Sequence, residues 1–147
     1  MNPYTYTISF RLKHPTASLR DEYRVLSALS GIVPGRLMSA GEPRTDPTGA
    51  KIGGVYQYSH CSFSFSKKWK NSSDERLPDA LGKAIDKLYP HKSLLDQIRK
   101  SDGLLDFFIG LGIDANAGIT LDVELLKKLA ALEIELGFDI YPPDNNK

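Results

Sequence analysis

The chain contains one cysteine, Cys61, so no disulfide can form within it, and the reading of an exported, disulfide-stapled domain loses its support. It also lacks an excess of charge of either sign: Lys+Arg 19 against Asp+Glu 18 gives a formal net charge of +1. A nucleic-acid or membrane-surface binder normally shows a clear basic excess, so this balance argues against both and leaves room only for a local patch. No apolar run approaches the roughly 20 residues of a membrane-spanning helix. No apolar leader opens the chain either, because Met1 to His14 alternates polar with apolar. A cytoplasmic protein with no membrane partner is therefore expected.

Chemistry-bearing motifs are missing too. Neither GxxxxGK[ST] nor GxGxxG occurs; Gly82-Lys83 falls inside a helical pattern, and Gly53-Gly54 precede a strand instead of following one. Both arrangements are wrong for cradling phosphate. No CxxC, HExxH or His/carboxylate cluster has metal-ligand spacing, so no cofactor and no metal are expected. His60 and Cys61 are adjacent on a strand pattern, which sends their side chains to opposite faces and prevents a nucleophile–base pair. The cysteine reads as a core residue and the histidine as a surface one.

What is present suits a soluble domain: 147 residues, 41% hydrophobic and 25% charged. A chain of this size buries enough surface to fold unaided. The expectation is a single α+β domain over 4–142, with frayed termini at 1–3 and 143–147.

"YTYTISFRLK" (4–13) alternates strictly, Tyr4, Tyr6, Ile8, Phe10 and Leu12 on one side, Thr5, Thr7, Ser9, Arg11 and Lys13 on the other. This is a half-buried strand. A helix follows, with Ser18 as its cap, a stripe of Leu19, Tyr23, Leu26 and Leu29, and Gly31 as its stop. Residues 31–54 carry eight glycines and prolines after Gly31 and read as a long loop. "VYQYSHCSFSF" (55–65) restores period two, with Val55, Gln57, Ser59, Cys61, Phe63 and Phe65 on one face and Tyr56, Tyr58, His60, Ser62 and Ser64 on the other. Pro78 opens a helix of Leu77, Leu81, Ile85 and Leu88, which Pro90 interrupts before a second helical run to Ser101. "LLDFFIGLGI" (104–113) is a strand apolar on both faces. Thr120 caps a helix of Leu121, Leu125, Leu129 and Leu132, and "LGFDIY" (136–141) closes as a strand.

The order β-α-β-α-β-α-β, with two strands polar on one side, predicts a two-layer α+β sandwich. It has about four strands in a mixed or antiparallel sheet and helices on one face.

Two segments carry a resemblance. "LSALSGIVPGRLMSAGEPR" (26–44) resembles the helix end, loop and Gly-(Asp/Glu)-Pro-Arg element of the bacterial family catalogued as Domain of Unknown Function 4279. "GITLDVELLKKLAALEIELGFDIYP" (118–142) is similar to that family's carboxy-terminal helix and strand. Where the family pattern has a tryptophan in the strand after the loop, this chain has "YSHCSFSF", and Trp69 lies beyond it. The resemblance implies a fold and a bacterial setting and brings no activity.

Candidate site residues remain. Arg36 and Arg44 sit in the long loop, and either is a candidate to pair with Asp139 of the last strand. Tyr56, Tyr58 and His60 form an aromatic face suited to recognition, since tyrosines give rigid contact area at low entropic cost. "SKKWK" places Lys67, Lys68 and Lys70 around Trp69, the best nucleic-acid candidate. The leading expectation is a non-enzymatic binding module with a protein partner, of the immunity or inhibitor type. A small-molecule binder or enzyme using Tyr56, Tyr58 and His60 comes second, and nucleic-acid binding through Lys67–Lys70 third.

Overall fold

The computed structural model describes residues 2–66 and 68–143; Met1, Lys67 and 144–147, the greater part of the end expected to fray at 143–147, lie outside the described residues. The first strand, β1 (Thr5–His14), alternates in burial as the sequence requires, with Tyr6, Ile8, Phe10 and Leu12 inside. It lies at the centre of the main sheet. Helix α1 (Arg20–Ser27) follows, one residue later than the Ser18 cap predicts; Ser18 Oγ accepts from the Arg20 N–H, while Leu19 holds the cap position.

The expected loop at 31–54 is mostly strand. It holds β2 (Val33–Met38), β3 (Pro43–Thr45) and β4 (Lys51–Val55). β2 forms an edge of the main sheet, and β3 with β4 makes a separate two-stranded ribbon. Its turn is closed by Asp46, whose Oδ1 accepts from the Thr48 and Ala50 N–H groups, with Gly49 at φ +90°. An Asx turn of this kind lets a Gly- and Pro-rich stretch pair as strands. The density of turn residues conceals the pairing.

The predicted strand at 55–65 is correspondingly shorter. β5 (Ser59–Ser64) keeps the expected phase, burying Ser59, Cys61 and Phe63, but the phase does not extend back. Gly53 and Gly54 both take positive φ, so the chain bends there, and Val55 and Gln57 are exposed instead of lying on the core face. A two-residue strand, β6 (Lys70–Asn71), then pairs with the start of β1.

Helix α2 (Leu77–Leu88) has Pro78 in its first turn, and a 3₁₀ turn at Tyr89–His91 joins it to α3 (Lys92–Lys100), the interruption Pro90 predicts. The start of α2 and the turn before it are fastened to β1 and the residue preceding it: the Leu77 N–H donates to the Tyr4 hydroxyl at 3.0 Å, and the Tyr6 hydroxyl donates to the Glu75 carbonyl at 2.8 Å. Burial, reinforced by Glu75, pushes the Tyr6 hydroxyl up to about 12. β7 (Leu104–Gly112), α4 (Val123–Ala131) and β8 (Glu135–Tyr141) complete the chain. Asp122, and not Thr120, caps α4, accepting from the Leu125 N–H at 2.8 Å.

The main sheet runs β2-β5-β1-β7-β8, with β6 attached to β1, so the described residues give it six strands where about four were expected. Neighbours are antiparallel except β7 and β8, which α4 connects in parallel. A parallel pair needs such a crossover. The inward row of β1 meets Leu105, Phe107, Ile109 and Leu111 of β7 in register. One cluster joins these residues to the buried sides of all four α-helices. The helices therefore cover one face, and the other is open.

Candidate functional site

The open face is built from the residues of β1 that alternation turns away from the core. Strand register sets their neighbours. Lys13 stands opposite His60 of β5 and Leu104 of β7; Arg11 stands opposite Ser62 and Asp106; Ser9 opposite Ser64 and Phe108. Beyond β7, Asp106 meets Glu135, Phe108 meets Gly137, and Gly110 meets Asp139 on β8.

Arg11 is held in a two-pronged ion pair, Nε to Asp106 Oδ1 at 2.8 Å and Nη2 to Oδ2, and its guanidinium lies 4.2 Å from the centre of the Phe108 ring. The bond to Asp106 raises its already high affinity for a proton. This explains why "LLDFFIGLGI" is apolar on both sides: Phe107 enters the core, and Phe108 is the platform under Arg11. Lys13 lies 4.1 Å over the Tyr58 ring. His60 is half-buried beside these two cations. Burial, then Arg11 and Lys13, push its pKa down, so the ring favours the neutral form, and its Nδ1 is enclosed without a partner among the described residues.

Two neighbouring cavities share Tyr58 and His60. One, of about 230 Å³, is lined by Arg11, Lys13, Leu104, Asp106 and Glu135 as well. The other, of about 380 Å³, opens toward the β3–β4 ribbon and includes Met38, Arg44 and Tyr56.

The structure brings together only part of the set expected from sequence. Tyr58, His60 and Arg44 border these cavities. Tyr56 borders one of them, but its hydroxyl is engaged, accepting from the Thr45 N–H at 3.1 Å and from Arg36 Nη2 at 3.3 Å. Hydrogen bonding with Thr45, first its hydroxyl and then its N–H, favours the ionised form and draws the pKa down, with Arg36 adding to it. Arg36 also donates to the Thr45 carbonyl at 2.7 Å, so its role is to clamp the ribbon to β2. Neither arginine pairs with Asp139. That residue is on β8, at the opposite edge of the sheet from β2, and it accepts from the Tyr141 hydroxyl at 2.8 Å.

Trp69 is at the other end of the open face. Its indole sits edge-on to Tyr141, ring centres 5.5 Å apart, over Gly110 and Gly112. A side chain at Gly110 would meet the indole at 3.1 Å, so the missing side chains make its seat. Thr5 marks that end of β1 and Lys13 the other, roughly 26 Å apart at strand rise. Of the proposed basic run, Lys67 lies outside the described residues and Lys70 is paired with Glu75 at 3.2 Å.

Sequence reading passed over Asp106, Phe108 and Glu135. The alternation of β1 already placed Arg11 and Lys13 on the polar face; their partners depend on which strand lies beside β1, which alternation does not encode. Cys61, on the far side of the sheet, is buried with its thiol pushed up to about 12 by that burial. It shares no face with His60. No group of three or more His, Cys, Asp or Glu among the described residues is arranged to hold a metal. No described helix is long and apolar enough to cross a membrane.

No curated protein and no solved structure matches this chain. A family model does match, spanning residues 4–143 and so the whole of the β1-to-β8 fold: the chain belongs to the family described as domain of unknown function (DUF4279).

Proposed function

We propose that this chain is a binding module that takes a protein partner on the open face of its sheet, without catalysing a reaction. The observation that carries the reading is the uncovered face itself. A sheet packed by helices on one side only leaves the other free, and here that side presents Tyr58 under Lys13, Phe108 under Arg11, and Trp69 against Tyr141. Tyr, Trp and Arg are the residue types that dominate interface energetics. Their spread along about 26 Å of strand suits an extended partner better than a small substrate. The β3–β4 ribbon, clamped by Arg36 and Tyr56, adds a raised rim beside Tyr58. A tight stoichiometric complex, as an inhibitor or immunity protein forms, is the expected outcome.

A second reading has its own support. The two cavities meeting at Tyr58 and His60, with the enclosed Nδ1 of His60 lacking a partner, suit a small ligand that offers that nitrogen a hydrogen bond.

The test uses immobilised chain and its Tyr58→Ser variant to recover partners from the native host. Tyr58 is the cleaner choice, because Tyr56→Ser would also release the ribbon. A protein held stoichiometrically by the parent and weakened by about 2 kcal/mol or more in the variant, at unchanged melting temperature, supports the proposal. A co-purified metabolite lost from the variant would favour the second reading. A partner bound equally by both would move the recognition surface off this face.

A further inference from the structure

The two edges of the main sheet are built differently. β2 is blunted: Pro34 removes a donor, Arg36 adds charge, and the register shifts between Pro34 and Leu37. These are the usual protections against edge-to-edge pairing. β8 has neither the proline nor the shift, and its only charges are the acids Glu135 and Asp139. It runs seven residues, pairs among the described residues only with β7, in unbroken register, and contains no proline and no basic residue. Its helix-side row is apolar yet uncovered, Phe138 being 44% and Ile140 58% exposed. On α4, Val123 and Leu126 are exposed as well. Helical spacing puts them on the flank away from Lys128, which pairs with Asp86 of α2. α2 lies beside Tyr6 and Ile8 of β1, on the far side of β7 from β8, so the flank of α4 away from α2 is the one toward the β8 edge. An apolar strip of strand and helix is thus left facing outward at this edge.

We propose that β8 pairs antiparallel with β8 of a second copy of this chain, about a twofold axis at Phe138, to make one continuous sheet across a homodimer. Three independent features meet at that register. The first is the backbone. The Ile113 N–H donates to the Tyr141 carbonyl, so Tyr141 and, by alternation, Asp139, Gly137 and Glu135 turn their peptide groups toward β7. Leu136, Phe138 and Ile140 turn theirs to the free edge. Centring on Phe138 lets Leu136 pair with the second copy's Ile140, and Phe138 with its counterpart, each as a hydrogen-bonded pair.

The second feature is the apolar row. The same three side chains lie on the helix side, where the two copies' rows would meet beneath the outward flanks of α4.

The third is charge. About Phe138, Glu135 falls opposite Tyr141 and Asp139 opposite Gly137, so no two acids face each other. A twofold at Gly137 would set Glu135 against Asp139, and one at Asp139 would set that residue against its own copy. Like charges directly opposite destabilise a strand pair. Isologous contact of this kind is the common form of a closed dimer.

Sedimentation of the full chain over a concentration series tests the proposal. A reversible dimer is expected for the parent, and Phe138→Lys, which puts two ammonium groups at the axis, should raise its dissociation constant at least about 100-fold. Far-UV circular dichroism should show that variant folded, since position 138 is exposed. Register is read by oxidative cross-linking. Cys61 is buried, so Phe138→Cys carries the one accessible thiol and should link to its own copy. Ile140→Cys should not, because its two copies would lie roughly 14 Å apart along the strands. A parent monomeric at every concentration, a dimer that survives Phe138→Lys, or cross-linking at 140 and not at 138 would each overturn the proposal.

Discussion

Phe107 and Phe108 are neighbours in sequence with opposite surroundings, and truncating each in turn measures the layer assignment directly. Phe107 is wholly buried, with its ring 5.2 Å from that of Phe10 and 6.0 Å from that of Phe65. Phe107→Ala removes the side chain and leaves a cavity between the sheet and the helices, a change that costs about 3–5 kcal/mol. The paired aromatics place this site toward the upper end of that range. Phe108 is half-buried on the open face, and its definable partner is the Arg11 guanidinium at 4.2 Å. Losing a partly exposed cation–π contact costs roughly 0.5–1 kcal/mol, and the lost half-burial of the ring adds about as much again. Phe108→Ala should therefore cost about 1–2 kcal/mol. Urea titration followed by far-UV circular dichroism gives both values, with the slope checked for constancy so that midpoints can be compared. Equal losses for the two variants would refute the one-sided packing, and a larger loss at Phe108 would reverse it.

Gly110→Val should displace the indole of Trp69, because a Cβ there would stand 3.1 Å from Trp69 Cη2 and 2.6 Å from Thr7 Oγ1. Trp69 is the only tryptophan, so its emission should shift to the red and become more open to acrylamide quenching; an unchanged spectrum would remove the indole from its glycine seat. Stability should fall as pH drops through the mid-range. The folded pKa of His60 lies below its ordinary value of 6.5, mainly through burial, so the unfolded chain binds the proton more readily. Stability from this group is complete above about 6.5 and declines as pH falls below it. The decline from pH 7 to 5 should flatten in His60→Gln, and an identical melting profile for the two proteins would place the histidine in solvent.

Period-two alternation was enough to fix the faces of β1 and of Ser59–Ser64, and 3.6-residue spacing was enough to find the helices. Both are local consequences of backbone geometry, so they can be read from a single segment. The α+β class follows from them, and so does the open polar face. Phe108, Gly110 and Gly112 show the limit. In the sequence they only make β7 look apolar on both sides; in the fold they are the platform for Arg11 and the seat for Trp69. Residues 33–55 show it again, since the strand and ribbon there exist through pairing with β5 and with each other, and turn residues mask the local signal. Tyr56 was picked as a candidate binding residue, but its hydroxyl is spent on Thr45 and Arg36, partners 11 and 20 residues away. The sequence by itself determined which side of each strong strand faces the core. Which strands lie side by side, and hence that Lys13 meets His60, Arg11 meets Asp106 and β8 is left as an unprotected edge, was decided only by tertiary structure, because register joins residues that share no local pattern.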